Sequence, residues 1–122
     1  RFLVAKECTI HQNYKDKVLA ARDIDTMTTG KRFGHPVRCL KNDFSRMLAE
    51  NEYKADITAE EFEQLGVGAL RRAVLAGDTS GGSVMCGQIA GMVDREQTCA
   101  EIIRELFTQA EDVLGRTKIW AK

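Results

Sequence analysis

Apolar positions recur at helical spacing in four stretches of this chain. The strongest is Ile102, Ile103, Leu106, Phe107, Ala110, Val113 and Leu114, opened by a Thr98-x-x-Glu101 capping box and closed by Gly115. A face that wide is expected to be buried. A second helix opens at Thr58, whose capping box closes with Glu61, and runs through Phe62, Leu65, Ala69, Leu70 and Ala73 to Gly77. Gly66 and Gly68 lie inside it at about 1 kcal/mol each relative to alanine, which predicts close packing or a local break. A third follows Pro36, with Val37, Leu40, Phe44, Met47 and Leu48 on one face. The fourth begins at a Thr9-x-x-Gln12 capping box and carries Tyr14, Val18 and Ala21; His11 in its first turn reads as a surface or capping residue. Two short pieces read as strands, Arg1–Ala5 and Asp25–Thr29. They are too short and too far apart to make a sheet by themselves. The pattern predicts a mainly α chain.

The densest punctuation is Gly81-Gly82-Ser83-Val84-Met85-Cys86-Gly87-Gln88-Ile89-Ala90-Gly91-Met92, with four glycines in twelve residues. Something must approach the backbone there, either the chain itself in a tight turn or a ligand. Gly81-Gly82 suits positive φ before a short helix starting at Ser83, whose N-terminus would favour an anion. Close helix packing through Gly87-x-x-x-Gly91 is the plainer alternative.

Composition narrows the function. The 122 residues fit one domain, 43% hydrophobic and 30% charged, with 18 cationic and 18 acidic side chains. Zero net charge argues against a nucleic-acid partner, and a helix-turn-helix reading also has the wrong helix spacing. No apolar run is long enough to span a bilayer, so no membrane partner is expected. Cys8, Cys39, Cys86 and Cys99 form no C-x-x-C pair and find no histidine at ligand spacing; they read as reduced, mostly buried thiols of a cytoplasmic protein with no metal. Lys31, Arg32, His35, Arg38 and Lys41 cluster on or just before the predicted helix after Pro36. They form either a solvated basic rim or an anion site. No Ser-His-Asp order, H-E-x-x-H or phosphate loop is present. The tail from Arg116, with Trp120, is either loosely held or docks its indole on a neighbour.

Four motifs then occur in one order: Arg1-Phe2-Leu3-Val4-Ala5-Lys6-Glu7; Phe33-Gly34-His35-Pro36-Val37-Arg38 with Lys41-Asn42; Leu65-Gly66-Val67-Gly68-Ala69-Leu70; and Gly82 to Gly91. Over nearly its whole length the chain resembles the C-terminal portion of the flavin-dependent enoyl-acyl-carrier-protein reductase II and nitronate monooxygenase family. The resemblance implies an α/β (β/α)8 barrel that binds FMN at the C-terminal ends of its strands. It assigns residues 1–8 to the end of the last barrel strand, 9–97 to a mostly helical insertion, 98–115 to the last barrel helix and 116–122 to a tail. With no initiator methionine before Arg1, the sequence reads as a fragment. The family's phosphate-binding Gly-Thr pair and its catalytic histidine precede the residue matched by Arg1, so no catalytic residue is expected in this segment, and His35 is not that histidine. Ser83, Gly87 and Gln88 become the candidates for contact with flavin or substrate, and His35, Arg38 and Lys41 the candidate rim for an anion or partner.

The resemblance also implies the chemistry. Many nitronate monooxygenases carry serine after the Gly-Gln pair, whereas this chain has Ile89, as in the reductases, and an aliphatic residue suits an acyl chain. The expectation is a part of an enoyl-acyl-carrier-protein reductase II acting with FMN and NAD(P)H in fatty-acid synthesis, on a small-molecule or carrier-linked substrate. Its partners would be the missing N-terminal barrel half and a second copy in a homodimer. Nitronate oxidation by O2 is the alternative within the family. An inactive helical binding or oligomerisation module is the alternative outside it.

Overall fold

The computed structural model describes residues 1–117, which fall into two compact units, residues 10–94 and residues 1–9 with 95–117. Trp120 lies outside the described residues.

The larger unit begins with α1 (Gln12–Leu19). It starts later than the Thr9 capping box predicts, because His11 is the capping residue: its Nδ1 accepts the Asn13 N–H at 3.1 Å. Tyr14 and Val18 are buried, as their spacing predicts. The extended piece is β1 (Thr26–Thr29), and it does have a partner. β2 (Val37–Leu40) pairs antiparallel with it, Thr26 opposite Leu40 and Thr29 opposite Val37. This corrects the helix predicted after Pro36. Val37 and Leu40 satisfy a helical spacing, yet pairing with β1 fixes them extended, and the helix begins only at α2 (Asp43–Glu52). There Asn42 and Ser45 cap each other reciprocally, Asn42 Oδ1 accepting the Ser45 N–H at 2.8 Å and Ser45 Oγ accepting the Asn42 N–H at 2.9 Å.

The helix predicted from Thr58 to Gly77 exists in three pieces. α3 (Ala59–Gly66) opens with the expected box, Thr58 Oγ1 accepting the Glu61 N–H at 3.2 Å. It breaks at Val67, and Gly68 takes a φ of 73°, a conformation that glycine alone adopts freely. A single turn, α4 (Ala69–Arg71), then runs into a π-helical turn, Arg72–Ala76, that ends at Gly77. Phe44, Leu48, Phe62 and Ala69 form the core, with Phe33 packed on Phe62 at 4.9 Å between ring centroids. Glu52 is buried and holds the turn after β1, its carboxylate accepting the Gly30 and Arg32 N–H groups at 2.9 Å each.

In the smaller unit Arg1–Ala5 is not a strand. Phe2–Val4 is one 3-10 turn closed by the Val4 N–H donating to the Arg1 carbonyl at 3.0 Å, with Val4 and Ala5 buried. No strand of this unit is present among the described residues to pair with it. α5 (Cys99–Thr117) carries the predicted box at Thr98 and Glu101, but it continues past Gly115. Of its apolar face only Ile102 is buried; Ile103, Leu106, Phe107, Val113 and Leu114 are exposed, which corrects the expectation of a covered face. No helix of the described residues is long and apolar enough to cross a membrane.

Candidate functional site

The glycine-rich stretch is shaped by the chain's own backbone. A Cβ on Gly82 would lie 2.4 Å from the Asp78 carbonyl oxygen and 2.8 Å from the Ala73 amide nitrogen. Around it the Asn42 amide donates to the carbonyls of Gly82 and Thr79 at 2.7 and 2.9 Å, and the Ser83 N–H donates to the Ala69 carbonyl at 3.0 Å. The predicted helix from Ser83 is absent, and neither Gly81 nor Gly82 has positive φ. The reason is the sheet. The Leu40 N–H donates to the Val84 carbonyl at 2.9 Å, Met85 bridges Cys39, and the Cys86 N–H donates to the Arg38 carbonyl at 3.3 Å. Residues 84–86 therefore lie extended along β2. The Tyr14 hydroxyl donates to the Met85 carbonyl and fixes the strand from α1. An anion cradle at Ser83 is thereby ruled out, since its amide is spent inside the fold.

At Gly87 the chain leaves the sheet and makes a 3-10 turn, Gln88–Met92. Gly91 lies against the segment after α1, where a Cβ would sit 2.5 Å from the Asp23 amide nitrogen. This is the close approach that the spacing predicts, made by the chain itself. Gly87 differs, because nothing lies within 4 Å of the Cβ it lacks. Gly87, Gln88 and Ile89 are exposed, and the Gln88 amide is left free to donate and accept. The turn accordingly leaves an amide beside an aliphatic side chain open to solvent.

Ser83 is buried and lines a different feature, an apolar cavity of about 190 Å3 in the larger unit. Phe33, Val37, Phe44, Phe62 and Met85 are among the apolar side chains of its wall. His35 and Glu63 stand at its edge, both largely exposed, with Nε2 and Oε1 3.9 Å apart. An apolar chamber with a few polar groups is a form suited to an apolar ligand. The phenylalanines that build it come from three separate elements, so nothing in their sequence spacing announces the chamber.

The basic rim does not converge. His35 is at the cavity, the Arg38 guanidinium donates to Thr26 Oγ1 at 3.0 Å, and Lys41 Nζ donates to the Ile24 carbonyl at 2.6 Å. Strand geometry explains the dispersal: alternate side chains along β2 point to opposite faces, sending Arg38 outward and Cys39 into the core. Burial raises the thiol pKa of Cys39 and, together with the neighbouring Cys39, lifts that of Cys86 to about 11. Both are protonated at neutral pH and are poor nucleophiles. Among the described residues no cluster of histidine, cysteine and carboxylate groups could hold a metal.

A model of the nitronate monooxygenase family matches residues 1–109. Among solved structures, FabK from Thermotoga maritima is similar with a TM-score of 0.89 at 34% identity, covering 98% of this chain and 38% of that one. A methionine-to-alanine mutant of the same FabK gives a TM-score of 0.78 at 31% identity, covering 98% and 35%. The chain thus spans less than two fifths of the length of these structures.

Proposed function

This chain belongs to the nitronate monooxygenase family, and from that premise we propose that it is a C-terminal segment of an FMN-dependent (β/α)8-barrel enzyme of the enoyl-acyl-carrier-protein reductase II type. The observation that carries the reading is the exposed turn Gly87-Gln88-Ile89, which sets a free amide beside an exposed aliphatic side chain. Similarity to FabK over 98% of the chain supports the same choice within the family. A short alkyl nitronate is mostly charged head and gains less apolar contact from Ile89 than an acyl chain does.

In this reading the bound flavin supplies hydride transfer from NAD(P)H to the β-carbon of an enoyl thioester. The chain's own residues position and exclude: Gln88 holds an edge of flavin or substrate, and Ile89 keeps water from the acyl group. The groups that act on the reacting atoms come from the remainder of the barrel.

The test is the full-length protein that carries these residues, loaded with FMN. NAD(P)H-dependent reduction of a short enoyl thioester is expected, with alkyl-nitronate oxidation near background. Gln88→Ala in that protein is expected to lower turnover or FMN affinity about tenfold or more, the loss typical of a misplaced positioning group. Nitronate oxidation exceeding thioester reduction would overturn the assignment.

A further inference from the structure

The larger unit contains a second cleft, of about 390 Å3, which takes no part in the site above. Lys17 of α1, Arg22 and Asp25 in the segment after it, Lys41 just beyond β2, and Arg46 of α2 line it, with Ala20, Ala21 and Ile24 as its apolar surface. Four cations and one carboxylate share this concavity among the described residues, although the chain as a whole has as many acidic as basic side chains.

Asp25 is already matched. Arg22 reaches it through Nε and Nη2 at 3.1 Å each, and that contact holds the Asp25 carboxyl below its usual range. Lys17, Lys41 and Arg46 are the other three cations. Arg46 pairs with Asp43 at 3.4 Å, and Lys41, whose Nζ donates to the Ile24 carbonyl at 2.6 Å, also acts on Asp25. Lys17 has no ion pair among the described residues, so four cations face two carboxylates. The C-terminal carbonyls of α1 near Ala20 contribute a partial negative charge, about half an elementary charge by the usual helix dipole, which offsets a fraction of the excess. Like charges gathered in one concavity repel one another, and an entering anion relieves that repulsion. The three cations come from three different segments, so the fold rather than local sequence brings them together.

We propose that this cleft binds the phosphate of a small phosphorylated ligand, with the ligand's less polar body lying on Ala20 and Ile24. The guanidinium of Arg46 has the planar fork that phosphate oxygens match, and the two ammonium groups add point charges beside it. The cleft has the dimensions of a small-molecule site, whereas a protein partner normally takes a broader surface. The assignment does not depend on the reaction proposed above, and it is tested without activity.

The experiment is an amide NMR titration of the isotope-labelled 122-residue chain, carrying Phe107→Glu and Leu114→Glu on the exposed face of α5 to keep it monomeric, with inorganic pyrophosphate in about 150 mM salt to screen diffuse attraction. Saturable shifts confined to the neighbourhoods of Lys17, Arg22, Lys41 and Arg46 are expected. Lys17→Glu and Arg46→Glu should each weaken binding at least tenfold, while Lys54→Glu, an equal charge change outside the cleft, should alter it less than twofold. All three positions are exposed, and the amide spectrum itself reports whether each variant is folded. ADP and butyl phosphate then compare two kinds of body: tighter binding of either than of methyl phosphate supports the apolar surface and says whether a nucleotide or an aliphatic ester lies on it. Equal weakening by Lys54→Glu, shifts spread over all lysines, or displacement by an acidic peptide but not by pyrophosphate would overturn the proposal.

Discussion

Gly82 and Gly87 stand five residues apart and serve opposite ends. At Gly82 the missing Cβ makes room for the Asp78 carbonyl and the Ala73 amide, atoms of backbone that cannot swing aside. At Gly87 the missing Cβ faces open space. Gly82→Ala should therefore cost about 1–3 kcal/mol, the usual range for forcing a methyl into a filled site, while Gly87→Ala should stay within about 0.5 kcal/mol. Urea denaturation of both variants checks the difference, and equal losses would mean that the two glycines play the same packing role. The sequence announces that glycine is needed in this stretch but not which glycine meets backbone. Asp23 is distant in the chain from Gly91, and the approach of Ala73 to Gly82 depends on the break at Gly68, neither of which local spacing fixes.

Two helix starts were legible in the sequence because a capping box closes within four residues, whereas the box read at Thr9 and Gln12 gives way to His11 as the cap of α1. The Thr58–Glu61 and Thr98–Glu101 boxes form as their spacing predicts. The element after Pro36 was not legible, since Val37 and Leu40 fit either period; pairing with Thr26–Thr29 on one side and Met85 on the other decides for a strand. A correct local signal, Asn42-x-x-Ser45, was present and stands where the helix does begin. The same boxes carry a pH dependence. The backbone N–H of Thr58 holds the Glu61 carboxyl below its ordinary 4.5, and the backbone N–H of Thr98 does the same for Glu101. A carboxyl lowered in the folded state contributes its stability above 4.5 and loses it as pH falls through the lower, folded value. The thermal midpoint should thus drop on acidification below pH 4.5, and the doubly substituted Glu61→Gln, Glu101→Gln chain should show a shallower drop. A profile with unchanged slope would assign the acid sensitivity to other groups.

At the scale of the whole chain, the resemblance identified the family while the physics of the segment left its surroundings open. A mainly helical chain was legible from spacing, but its one small sheet was not, because the second strand fits a helical period as well; the segment spans 38% of the FabK chain it matches. The consequence is written on α5. Its Ile103, Leu106, Phe107, Val113 and Leu114 leave between 45% and 68% of their surface exposed, and Phe2 and Leu3 leave nearly half. Apolar surface of that extent on a chain without net charge favours association, because each square ångström removed from water gains about 25 cal/mol and no charge excess opposes contact. The 122-residue chain is accordingly expected to self-associate at micromolar concentration in sedimentation velocity. Phe107→Glu with Leu114→Glu places two like charges on the exposed stripe and should return the chain to a monomer, at little cost to folding since both positions are already open to solvent. A chain that is monomeric before substitution would show that α5 is covered in solution, and would favour a self-sufficient module over a barrel segment.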